Sequence, residues 1–126
     1  MKSVVFALSI LFASVSHADI IRCTFTEPFV NSTYSMTESK LTYVDFENKV
    51  TEFKNVSFQI KGPALFELVA QDGTILQTLN LNNNGSDGMS DYVFPYEVKD
   101  STMLTGANGG IGGCTSNYLH KQGETP

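Results

Sequence analysis

Few residues in this chain can do chemistry, and most combinations of them lack a partner. There are two cysteines, Cys23 and Cys114, two histidines, His17 and His120, and 13 acidic residues. Nucleophilic catalysis of the Ser-His-Asp or Cys-His kind needs a histidine base beside the nucleophile. His17 falls inside an export leader described below, and His120 lies in a polar C-terminal stretch. A zinc site gathers several His, Cys or acidic ligands, and one histidine is too few. No Gly-x-x-x-x-Gly-Lys phosphate cradle or dinucleotide fingerprint occurs. Paired carboxylates can cleave glycosides, and Glu27, Asp87 and Asp91 are available, but acids on a β surface are ordinarily just solvated. The expectation is a protein that is not an enzyme, with no catalytic residues, no cofactor and no metal.

The stretch Asn80 to Asp91 reads NLNNNGSDGMSD. Asn80, Asn82, Asn84, Gly85 and Asp91 match the spacing of a calcium loop in outline. The early ligands are neutral amides, the last is Asp rather than Glu, and flanking helices are missing. The alternative is a long hairpin connection rich in turn formers, whose small polar residues form a contact loop for a partner. Its contact residues would be Ser86, Asp87, Gly88, Ser90 and Asp91. Asp91, next to the following strand, is expected to accept loop N–H groups and fix the exit. Asp87, beside Gly88, is expected to project towards the partner.

The elements that position these residues read as strands. Residues 1–18 form a leader: Lys2, an apolar run from Val4 to Val15, and the small-x-small site Ser16-His17-Ala18. Removing 18 of 126 residues leaves 108 and loses Lys2 but no acid, so a formal charge of −5 becomes −6. So acidic a chain is a poor nucleic-acid binder. No other apolar run is long enough to span a membrane as a helix. An exported chain with an even cysteine count predicts a Cys23–Cys114 disulfide. Closing about 90 residues is worth roughly 4–5 kcal/mol, and it makes the first and last strands neighbours. Between them run short apolar segments: Ile20 to Thr26, Thr33 to Met36, Leu41 to Phe46, Val50 to Ile60, Leu65 to Ala70, Thr74 to Leu81, Tyr92 to Val98, Met103 to Thr105 and Ile111 to Tyr118. Asp72-Gly73 predicts a type I′ hairpin. Pro95 predicts an edge strand or a bulge. Turn signals every 8–12 residues or so predict an all-β fold, a small antiparallel barrel or barrel-like sandwich of about eight strands. It forms one domain over residues 19–118, with a flexible tail over 119–126.

Three segments carry a resemblance: Thr26-Glu27-Pro28-Phe29, Ser86-Asp87-Gly88-Met89-Ser90-Asp91 with its aromatic-proline strand, and Gly112-Gly113-Cys114. In order and approximate spacing the chain resembles a family of uncharacterised bacterial envelope proteins, over about residues 22–116. Members read T-E-P-F-W early, S-D-G-M-S-D later and Gly-Cys near the end. Val30 stands where the family carries Trp, and Gly85 where it carries a Cys. The resemblance implies a small periplasmic or secreted β domain and supplies no activity. Read physically, Pro28 holds Glu27 extended, and Phe29 is expected to plug one end of the core. The expectation is a binding or envelope-maintenance module whose partner is a protein or envelope component. The alternative is an inhibitor of a lysozyme-type cell-wall hydrolase, to which an acidic chain would be steered. A small-ligand carrier is a third reading, weakened because so narrow a barrel is filled by its own side chains.

Overall fold

The computed structural model describes residues 20–25, 29–101 and 110–122. The leader at 1–18, Glu27, Pro28, the expected strand at Met103 to Thr105 and the last tail residues lie outside them. The described chain is all β: β1 (Ile20–Phe25), β2 (Val30–Ser35), β3 (Lys40–Asp45), β4 (Val50–Phe53), β5 (Ser57–Gly62), β6 (Leu65–Val69), β7 (Ile75–Gly85), β8 (Phe94–Asp100) and β9 (Ile111–Ser116). They form a single nine-stranded antiparallel sheet in the order β4-β3-β2-β1-β9-β8-β7-β6-β5. Two meanders, β1 to β4 and β5 to β9, are thus joined where the first strand meets the last.

Alternation puts one face of nearly every strand inward. Ile21, Cys23, Phe25, Val30, Tyr34, Leu41, Tyr43, Leu68, Leu79, Tyr96, Val98 and Cys114 meet in one buried cluster. Strands from opposite ends of the sheet share that cluster, so the sheet is curled around a single core without closing into a hydrogen-bonded barrel. Cys23 and Cys114 stand directly opposite one another across the β1–β9 ladder and are bonded, as the sequence predicts.

The expected strand Val50 to Ile60 is two strands, which is why there are nine rather than about eight. Asn55 takes a left-handed conformation (φ 59°) and breaks it. Counting antiparallel neighbours round the sheet, β4 and β5 run in the same sense, so they are one extended segment bent at Lys54-Asn55-Val56. The first half pairs with β3 and the second with β6. The bend is held by Val56, which is fully buried, donates to Ser39 O at 2.8 Å and accepts from Tyr34 Oη at 2.8 Å. Burial pushes the Tyr34 phenol above its usual pKa, which keeps this donor protonated.

Other local expectations are corrected. Of Asp72 and Gly73 only Gly73 has positive φ (96°), and Gly73 N–H donates to Ala70 O at 2.9 Å. The turn is therefore type I followed by a left-handed glycine, not type I′, which needs both residues at positive φ. β8 is interior, so Pro95 is not at an edge. It sits opposite a bulge, because Leu81 pairs with Tyr96 and Gly85 with Phe94, leaving Asn82, Asn83 and Asn84 facing one proline. The asparagines thereby belong to β7 rather than to a loop, and Asn82 Oδ1 accepts the Asn84 N–H at 3.0 Å. An extended run of this kind does not wrap an ion, which removes the calcium-loop reading. Phe29 is 51% exposed and plugs nothing. The tail is docked as far as Gln122: Val93 and Gln122 exchange backbone hydrogen bonds of 2.6 and 2.8 Å, and Lys121 Nζ lies 4.0 Å from the centre of the Tyr92 ring. A polar composition suggested fraying, but a cation over an aromatic ring and one ladder rung suffice to hold it.

Candidate contact surface

The motif loop is built around Asp87, the reverse of the expected division of labour. Asp87 is buried, and its Oδ1 accepts from Met89 N (2.9 Å), Ser90 N (2.8 Å) and Ser90 Oγ (3.1 Å). Ser86 Oγ accepts the Gly88 N–H at 3.0 Å, and Ser90 Oγ accepts the Tyr92 N–H at 3.3 Å. Gly88 has φ 78°, as expected, and Asp91 is exposed. Asp87 therefore organises the loop and Asp91 faces solvent. Burial alone would raise the Asp87 pKa, but the Ser90 and Met89 amides and the Ser90 hydroxyl outweigh it and hold the carboxyl below its ordinary value. A lowered folded pKa gives stability that is present above the unfolded carboxylate pKa and lost as pH falls below it. Replacing Asp87 by Ala is expected to cost about 1–2 kcal/mol at neutral pH. The same change at Asp91 should cost under about 0.5 kcal/mol. Urea titrations of both variants check this, and the Asp87 deficit should shrink on acidification.

The motif's other pieces meet the same strand. A Cβ at Gly113 would come within 2.7 Å of the Phe94 ring, so the β9 glycine is the floor on which the β8 aromatic lies. Gly113, Cys114 and Phe94 are thus structural, and Met89, 57% exposed, is the large apolar side chain that the 86–91 loop presents.

The larger apolar surface lies elsewhere. Phe29, Phe46 and Val50 are 51%, 70% and 55% exposed. Val30 pairs with Asp45 and Val44 with Val50, so Phe29 and Phe46 follow directly outside the first of these rungs. Three large apolar residues therefore emerge at neighbouring positions around the β3–β4 turn. Asp45 Oδ1 fixes that turn by accepting from Glu47 N (2.8 Å) and Lys49 N (2.9 Å). Exposed aromatic residues on a fixed turn are typical anchors of protein interfaces.

Inside the sheet lies a polar cluster that sequence reading missed. Gln77 Nε2 donates to Ser32 Oγ (3.1 Å), Tyr43 Oη (3.3 Å) and Asp100 Oδ2 (3.1 Å), and Tyr43 Oη donates to Asp100. All four residues are buried, and Gln77 Oε1 lies 4.0 Å from Cys23 Sγ of the disulfide. An open cleft of about 590 Å³ between the end of β4 and the β6–β7 turn adjoins this cluster through Phe53, whose ring meets Tyr43 edge-on at 5.8 Å. Among the described residues no three His, Cys, Asp or Glu side chains are grouped as metal ligands, and no helix is long and apolar enough to cross a membrane. Compared with protein-family models, curated proteins and solved structures, the chain matches none of them.

Proposed function

We propose that the protein is an exported, non-enzymatic binding module of the bacterial envelope, and that its partner seats on Phe29, Phe46 and Val50. The observation that carries this reading is the exposure of all three, each above half, at neighbouring rungs. The envelope setting rests on the leader-like residues 1–18, the buried disulfide and the family resemblance. Both buried carboxylates, Asp87 and Asp100, are engaged in internal hydrogen bonds, which suits a scaffold better than a catalyst. A formal charge of −5, with Glu47 and Glu52 beside the patch, disfavours an anionic lipid surface and favours a basic protein.

That charge supports the second reading, an inhibitor of a basic lysozyme-type hydrolase. Inhibition should then be strongest at low salt and weaken as ionic strength rises. Phe46→Asp should weaken it at least about tenfold, because a central aromatic anchor is worth about 2 kcal/mol or more. If micromolar protein leaves a panel of lysozymes active at low salt, the inhibitor reading falls. The broader reading is tested by cross-linking capture from envelope extract. Capture should be lost with Phe46→Asp and kept with Met89→Asp. The opposite pattern would move the contact surface to the 86–91 loop, and capture that survives both changes would overturn the module as described.

A further inference from the structure

The sheet has two ends, and one of them, β5, carries apolar residues on its core-facing side that nothing in the fold covers. Phe58 stands opposite Leu68 and Ile60 opposite Phe66, so these four share one face. Leu68 is fully buried, Phe58 and Phe66 are half-buried and stacked at 5.2 Å, and Ile60 is 70% exposed. An exposed edge of this kind pairs readily with another strand. At its start the edge is covered, since Val56 donates to Ser39 of the β2–β3 turn. At its far end the ladder is irregular between Ile60 and Gly62, and Pro63 follows. Between these limits Ser57 to Ile60 is open.

We infer that a second copy of this chain occupies that edge, β5 against β5 in antiparallel register centred on Gln59. Antiparallel partners share a face only if the two copies pair residues of the same parity. Centring on Gln59 sets Phe58 against Ile60 of the second copy, and Ile60 against its Phe58, so the exposed apolar residues cover one another twice. Aromatic and β-branched cross-strand pairs are favourable ones. The same register sets Lys61 opposite Ser57 rather than a like charge, and Lys61 keeps its own Glu67 at 3.9 Å. The open stretch is short, so the dimer is a weak, concentration-dependent one. The two-fold axis lies at β5, away from Phe46, and leaves that patch free.

Sedimentation of the disulfide-bonded protein from about 10 μM to about 1 mM, a range that spans weak association, should show the mass rising from monomer to dimer. Ile60→Lys should weaken association at least tenfold with an unchanged thermal melt, and Val50→Lys on the other edge should leave it unaltered. Gln59→Cys should yield a covalent dimer on oxidation, and Glu52→Cys should not. A monomer at the highest concentration overturns the inference. So does a dimer indifferent to Ile60→Lys, or one lost equally on Val50→Lys. None of these outcomes depends on whether Phe46 binds a partner.

Discussion

Replacing both bridge cysteines by alanine is expected to lower the unfolding free energy by about 4–5 kcal/mol, the chain-entropy value for a loop of this length. The loop spans 91 positions, and its ends are register partners in the ladder that unites the two meanders. Apart from the bend at Lys54-Asn55-Val56, that ladder is the main-chain junction between β1–β4 and β5–β9. Without the covalent link, pairing β1 with β9 must overcome the full entropy of closing the chain before any neighbouring contact rewards it. Small domains commonly hold only about 5–15 kcal/mol in all, so the variant should be largely unfolded at growth temperature. Guanidinium titration of the two forms measures the difference. A loss below about 1 kcal/mol would mean that the unfolded chain already keeps its ends together.

The disulfide was legible because export and a count of two leave a single pairing. The strands were legible wherever period-two alternation was strong, as along Leu65 to Val69 and Phe94 to Val98. What escaped has physical reasons. The bend at Asn55 depends on a left-handed residue inside an otherwise apolar run, and a strand signal does not show where pairing passes from one neighbour to another. Phe29 was placed in the core because it is aromatic, yet burial depends on what stands opposite, and beyond the Val30–Asp45 rung there is only a turn. Asp87 and Asp91 are chemically identical, and only the loop's path decides which one meets the amides of Met89 and Ser90. The interior cluster was half legible. Ser32 lies between Val30 and Tyr34 in the inward phase, and Asp100 continues the phase of Tyr96 and Val98. Carrying the alternation past the apolar residues would have flagged both as buried polar groups in need of partners. Gln77 was hidden, because the bulge between β6 and β7 puts Leu76 and Gln77 both inside.

That cluster gives the second large effect. Gln77→Glu is expected to destabilise the protein by about 3–5 kcal/mol at pH 7, as an uncompensated charge in the core does. It exchanges the amide 3.1 Å from the Asp100 carboxylate for another carboxylate, with only Tyr43 and Ser32 hydroxyls to share. Two buried carboxylates this close cannot both ionise, so the folded pair holds a proton at a pH where the unfolded pair has lost it. The variant should therefore recover stability as pH falls from 7 towards 5, because the folded state then binds the extra proton and the unfolded state does not. Asp87 has the opposite sign in the parent protein, so the two pH profiles should converge on acidification. Gln77→Leu separates charge from lost hydrogen bonds: it should cost about 2–4 kcal/mol for the groups left unpartnered, with no comparable recovery between pH 7 and 5. Urea titrations across that range decide the matter. A Gln77→Glu profile parallel to that of Gln77→Leu would mean that water reaches Asp100, and that the cluster is the inner wall of the cleft beside Phe53 rather than part of a dry core.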